Sequence, residues 1–183
     1  MRKLTAGLFY SIDGVAEAPN EFQFDSFDDE LGTMLGGVMA EVDTVLMGRV
    51  GYQEWAGYWP NAQQDQDFAG FINNVPKYVA SHTLSGPLEW SNAELINGEL
   101  EAFVRDLKAR DGGTIAVMGG MSLVRQLLLA GLMDELVLIV HPVISGKGRH
   151  LFHPDDPTTR LVLKASQQTS KGNMVLTYGL RPA

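Results

Sequence analysis

Six short apolar runs, each stopped by glycine, proline or a polar turn, alternate in this chain with amphipathic stretches of helical period. That alternation points to α/β architecture. The runs are Leu4–Tyr10, Thr44–Met47, Tyr78–Ala80, Glu94–Ile96, Ile115–Met118 and Glu135–Val140. Between them, Leu31, Met34, Leu35, Val38, Met39 and Val42 share one helical face, entered through Ser26-Phe-Asp-Asp29, which has the form of a capping box. Phe68, Phe71, Ile72 and Val75 mark a shorter helix stopped by Pro76. Leu100, Phe103, Val104 and Leu107 make a third stripe, with Asn97 near its start. Leu123, Val124, Leu127 and Leu128 make a fourth, with Gly131 placed as its C-terminal cap. Tyr52 to Trp59 reads as aromatic and irregular, and Leu161 to Leu180 as an antiparallel hairpin turning at Lys171-Gly172-Asn173. Strands that are apolar almost throughout belong in a mostly parallel sheet covered on both faces, joined by right-handed crossovers. Ligands of such sheets bind beyond the carboxyl ends of the strands.

No linker, repeat or low-complexity segment divides the 183 residues, so a single domain over 1–183 is expected. The net charge of −8, from 14 basic and 22 acidic side chains, argues against a nucleic-acid partner or an anionic membrane surface. There is no cysteine, which removes disulfides, thiolate metal sites and cysteine nucleophiles. The first apolar run is too short to span a membrane and no small-residue cleavage site follows it, so a soluble, cytoplasmic protein is expected.

The residues after each strand carry the chemistry. Gly119-Gly120-Met121-Ser122-Leu123 opens a helix after the fifth run, where free amides and bare backbone suit an anion such as a pyrophosphate; a tight turn with no ligand would use the same glycines. Gly48-Arg49-Val50-Gly51-Tyr52 follows the second run and offers a guanidinium for a phosphate, or an exposed arginine after a turn. Ser81-His82-Thr83 follows the third and suits either a ribose 2′-phosphate or a hydrogen-bonded turn. Ser11-Ile-Asp-Gly14 follows the first. There is no G-x-G-x-x-G fingerprint, P-loop or G-x-S-x-G elbow. His150 and His153 lack a carboxylate in metal-site spacing, so no metal is expected, and Trp55, Tyr58 and Trp59 suit either stacking on a heterocycle or closing a core.

The SxDG turn, Val-Leu-Met-Gly-Arg49, Met-Gly-Gly120 before a helix, Gly131-Leu-Met-Asp-Glu-Leu-Val-Leu138, His141-Pro-Val-Ile-Ser-Gly-Lys-Gly148 and Leu151-Phe152 occur in an order that resembles the dihydrofolate reductase-like fold. Within it the chain is most similar to the C-terminal reductase domain of the bifunctional riboflavin-biosynthesis deaminase-reductase. The deaminase part, with its zinc ligands, has no counterpart here. The resemblance implies a three-layer αβα domain with a mostly parallel central sheet and a C-terminal antiparallel hairpin. It implies NADPH as cofactor, with its pyrophosphate at Gly119, Gly120, Met121, Ser122 and Leu123. The adenosine side falls at Gly48, Arg49, Ser81 and His82, with Tyr52 nearby, and the nicotinamide by Ser11, Asp13 and Gly14. It also implies a homodimer.

Two departures leave the substrate open. Asp28, Asp29 and Glu30 crowd the helix start where one pterin-anchoring acid is expected, and Ala18-Pro-Asn-Glu-Phe-Gln-Phe-Asp25 replaces a Ser/Trp-rich phosphate-binding segment. The implied chemistry is hydride transfer to a C=N or C=O carbon of a small heterocyclic substrate, with the proton from Asp13, Asp29, Glu30 or ordered water. A 5-amino-6-(5-phosphoribosylamino)uracil-type substrate competes with a pteridine, and a nucleotide-binding module without turnover is the non-enzymatic alternative.

Overall fold

The structure, a computed structural model, describes residues 1–181; the last two positions of the expected domain lie outside the described residues. The chain runs β1 (Leu4–Ser11), α1 (Asp29–Glu41), β2 (Val42–Gly48), α2 (Arg49–Tyr58), α3 (Gln66–Asn74), β3 (Lys77–Ala80), β4 (Ala93–Leu95) and α4 (Leu100–Ala109). It continues with β5 (Thr114–Met118), α5 (Met121–Leu129), β6 (Glu135–His141), β7 (Leu161–Gln168) and β8 (Met174–Leu180). All eight strands form one sheet in the order β4-β3-β2-β5-β1-β6-β8-β7. The first six strands run parallel, and β8 and β7 close the sheet as an antiparallel hairpin. This is the three-layer arrangement expected from the apolar runs. None of the described helices is long and apolar enough to cross a membrane.

Strand alternation sends Leu4, Ala6, Leu46, Ile115, Val117 and Leu136 to one face, where α4 and α5 cover them in a single continuous core. The opposite face is covered in two separate pieces. Helices α2 and α3 close over Val45, Met47, Val79 and Ala116, and α1 closes over Ile139 and Val175 through Leu31. Between them, in the row Met118–Gly7–Val137, Gly7 of the interior strand β1 is exposed, with nothing within 4 Å of where its Cβ would stand. A strip of the sheet interior is therefore open to solvent.

Helix α5 ends as expected. Gly131 (φ +74°) donates to the Leu128 carbonyl and Leu132 to the Leu127 carbonyl, a Schellman pair that needs a left-handed residue. Other expectations need correction. The segment Tyr52 to Trp59 is mostly regular helix, because Tyr52, Trp55, Ala56 and Trp59 recur at i, i+3, i+4 and i+7 and all turn toward one core. The cap of α1 is Asp28, whose carboxylate accepts from the Leu31 amide at 2.9 Å; Ser26 lies outside the helix and does not cap it. Of the apolar stripe on α1 only Leu31 is buried within the helix, and Val38 stays 42% exposed.

Lys77 is 1% exposed. Its ammonium donates to the Ile72 and Val75 carbonyls at the end of α3, each at 2.8 Å, and lies 4.7 Å from the centre of the Trp90 ring. Burial pulls its pKa down to about 8 from the ordinary 10.5. Between those two values the unfolded chain binds more protons than the folded one, so this group makes stability rise with pH from about 8 to 10.5. The urea midpoint should climb over that window, and Lys77→Met should flatten the climb; an unchanged slope in the variant counts against the assignment.

Candidate active site

Strands β1, β2, β3, β5 and β6 end at the same edge of the sheet, and the turns and helix starts that succeed them gather there. Helix α2 begins directly at Arg49 after Gly48, and α5 at Met121 after Gly120; neither N-terminus is capped by a side chain. Each first turn thus leaves amide donors unpaired within the helix, with the positive end of the helix dipole behind them. The two starts touch: a Cβ on Gly48 would stand 3.8 Å from the Gly120 Cα, and one on Gly120 would stand 3.0 Å from the Gly48 nitrogen.

The glycines serve this backbone contact first. A Cβ on Gly51 would stand 1.5 Å from the Gly119 carbonyl oxygen, so α2 lies against the β5–α5 turn with room for no side chain. Gly119 takes φ +61° there, and the Trp55 ring closes in at 3.4 Å from its would-be Cβ. The tight-turn and anion-cradle readings of Gly119-Gly120 therefore describe one construction: the close packing aligns two uncapped helix starts. Gly51 was not picked out by sequence reasoning; its signal is the three-residue spacing from Gly48, which puts both on the same helical face.

Arg49 is exposed, and its guanidinium bonds only the neutral Gln53 (2.8 Å); no carboxylate pairs with it among the described residues. The Ser81 hydroxyl oxygen accepts from the Thr83 and Leu84 amides (3.1 and 2.9 Å), a local turn that leaves its own O–H free to donate, and His82 beside it is exposed. Two expected cofactor contacts point elsewhere. Tyr52 is 6% exposed and packs on Trp90 in the α2–α3 core, and the Leu123 side chain is 5% exposed in the α5 core, leaving only its backbone at the helix start. Met121 is half-buried and Ser122 exposed on the first turn.

The three candidate acids fare differently. Asp13 accepts from the Ser11 hydroxyl (2.7 Å) and from the Ser145 and Gly146 amides (2.9 and 2.8 Å), and these bonds lower its pKa to about 2. It is an anion at neutral pH that ties the 11–15 turn to the 142–146 loop. Gly14 keeps φ +89° in that turn, beside Tyr10 and His150. Glu30 accepts from the Ser170 amide and hydroxyl (2.7 and 2.5 Å), which fastens α1 to the hairpin turn. Asp29 is exposed, and its carboxylate makes no hydrogen bond among the described residues.

Sequence reasoning also missed a buried polar cluster beside these acids. His141, the last residue of β6, is fully buried against Ser26, Gln23, Phe9 and Phe22. Asn173, equally buried, donates to the Ser26 carbonyl, the Asp28 carboxylate and the Thr169 hydroxyl. A histidine closing an apolar strand was the available signal, and nothing local in the sequence named its partners.

An eight-stranded sheet of this order, with uncapped helix starts after β2 and β5 and an open strip at β1, defines a dihydrofolate reductase-like α/β protein. Dihydrofolate reductase from Enterococcus faecalis, determined in complex with NADP(H), superposes with a TM-score of 0.59 at 14% identity, covering 98% of this chain and 97% of that one. The match to a putative riboflavin biosynthesis protein from Shewanella sp. PV-4 is stronger, with a TM-score of 0.78 at 19% identity over 98% and 99% of the two chains. In sequence the chain is 29% identical to the Bacillus subtilis (strain 168) protein YyaP over 182 residues, 97% of this chain and 94% of that protein. Residues 2–175 match the RibD C-terminal domain, and the chain belongs to that family, the riboflavin-biosynthesis reductases, which are oxidoreductases.

Proposed function

We propose that this protein is an NADPH-dependent reductase that transfers a hydride to a small heterocyclic substrate of the riboflavin-pathway type, similar to 5-amino-6-(5-phosphoribosylamino)uracil. The carrying observation is the pair of touching, uncapped helix starts at Gly48-Arg49 and Gly120-Met121 beside the open strip at Gly7. Residues and cofactor fit in kind: amides and helix dipoles for a pyrophosphate, and an unpaired guanidinium with a free serine hydroxyl for a 2′-phosphate. NADPH, when bound, supplies the hydride.

The chain's own part is to bind and orient. Helix starts α2 and α5 hold the phosphates, Arg49 and Ser81 answer the 2′-phosphate, and the strip over β1 between α1 and α2 takes the flat substrate. Asp13, already ionised, braces the loops at the nicotinamide side. Glu30 is engaged with the hairpin, which leaves Asp29, or solvent entering the cleft, to deliver the proton.

NADPH titration tests the reading directly. Trp55 lies against Gly119, so bound NADPH should quench indole emission saturably and gain its own emission by energy transfer. Loss of 340 nm absorbance with a pyrimidine substrate, but not with dihydropterin, then fixes the substrate class. Unchanged tryptophan emission up to millimolar NADPH sinks the proposal.

A further inference from the structure

The buried cluster at the end of β6 closes into a ring of hydrogen bonds that admits one arrangement of protons. The Ser26 hydroxyl donates to the Gln23 carbonyl at 2.6 Å, so its single proton is committed. The 2.7 Å contact between Ser26 Oγ and His141 Nδ1 is therefore donated by the ring nitrogen. The Gln23 side-chain amide, 3.2 Å from His141 Nε2, donates in turn to the bare lone pair there. Only the neutral Nδ1–H tautomer satisfies all three contacts.

We propose that His141 is a pH-operated latch on the segment 22–28, closed when the imidazole is neutral and released when it is protonated. A second proton, on Nε2, would face the amide donor of Gln23 and turn attraction into repulsion, so the ring of bonds opens; a Gln23 amide that simply turned over would keep the latch shut and leave opening flat with pH. The latch matters because the segment it holds is strained and placed at a site. Phe24 sits at φ +46°, a conformation costly for a bulky residue, and is 78% exposed. Phe24, Phe22, Pro142, Val143 and the Asp25–Lys171 pair line a groove of about 370 Å³. Three residues on, Phe27 packs edge-on against Phe9, and Asp28 starts α1, the helix that flanks the open strip on one side. Releasing 22–28 therefore loosens one wall of the cleft.

Few charges oppose the switch. From the 22–28 segment Asp28 bears on the ring, while Asp25 points to solvent and pairs with Lys171 of the hairpin turn. From α1, Glu30 is engaged by Ser170. The adjoining strand β1 brings Phe9 and no charge, and Asp13 beyond its end is held by Ser145 and Gly146. Burial raises the Asp28 pKa, yet hydrogen bonds from Thr169, the Leu31 and Lys171 amides and Asn173 outweigh that and keep it ionised. For His141 burial dominates and lowers the pKa, against a smaller upward pull from Asn173 and Asp28. The latch thus stays shut at neutral pH and opens in mild acid.

Hydrogen exchange of the cofactor-free chain, corrected for intrinsic amide rates, tests this without any substrate. Opening of residues 22–28 should rise by up to tenfold per pH unit as the pH falls below the ordinary histidine value of 6.5, and level off once it passes the lowered pKa of His141 in the closed state. Gln23→Glu supplies an acceptor for the second proton, so this variant should keep the segment closed down to pH 5 and raise the His141 pKa in an NMR titration. Opening that is flat with pH in the natural chain, or acid release that persists unchanged in Gln23→Glu, overturns the latch. Neither result bears on whether NADPH binds, so the two proposals fail separately.

Discussion

Gly51→Ala is expected to destabilise the protein by about 3 kcal/mol, the upper end for overpacked sites, and to abolish most NADPH binding with it. The added methyl would stand 1.5 Å from the Gly119 carbonyl oxygen, a backbone atom that cannot swing aside as a side chain can. Either α2 lifts from the β5–α5 turn or the turn shifts, and both movements separate the two helix starts. Gly57→Ala in the same helix is the control. Its Cβ meets open space, so the exchange should leave binding intact and add about 0.5–1 kcal/mol through helix propensity. Thermal unfolding of the two variants, each with and without NADPH, gives the answer. A Gly51→Ala protein as stable as the natural chain would mean that the two backbones are not in contact.

Arg49→Ala is expected to act on the cofactor alone. An exposed guanidinium bonded only to Gln53 contributes little to folding, so the melting temperature should stay within about a degree. NADPH affinity should fall about tenfold to a hundredfold, the range of a charge-assisted hydrogen bond, while NADH affinity should hardly move. The comparison between the two nucleotides is what discriminates. Equal losses for both would place Arg49 at the pyrophosphate, and no loss for either would remove it from the site. Lysine at this position should restore only part of the preference, since it gives up the planar fork of donors.

Much of this architecture was legible in the chain because its strands are apolar without interruption. Val45, Leu46 and Met47 are all buried whichever way they point, which an interior parallel strand requires. The failures have identifiable causes. In α2 the apolar stripe is intact, but Gly51 and Gly57 lower the helix propensity around it, so aromatic residues at helical spacing read as an irregular run. In α1 the stripe is intact but overstates burial, since the helix covers only the β6–β8 side of the sheet and leaves Val38 in water. At the site, the strand ends and helix starts were visible as Gly48-Arg49 and Gly119-Gly120. The His141 cluster was not, because its partners lie 115 and 118 residues away in the chain and meet only when the loop folds over the strand end. Asp13 was visible as a candidate but not its state, which depends on backbone amides more than 130 residues distant.

The unequal covering of the sheet has a consequence for how a protein of this shape can change. On one face a single core ties α4 and α5 to β1, β2, β5 and β6, and any substitution there is felt throughout. On the other, the clusters under α1 and under α2–α3 share no buried residue, because the strip at Gly7 divides them. Mutations that reshape α1, the 22–28 segment or the hairpin turn can therefore accumulate without disturbing the helix starts at Gly48 and Gly120. On the function proposed above, nucleotide grip and choice of reactant would fall to separately packed parts of one scaffold. A scaffold so divided would let the first stay fixed while the second drifts.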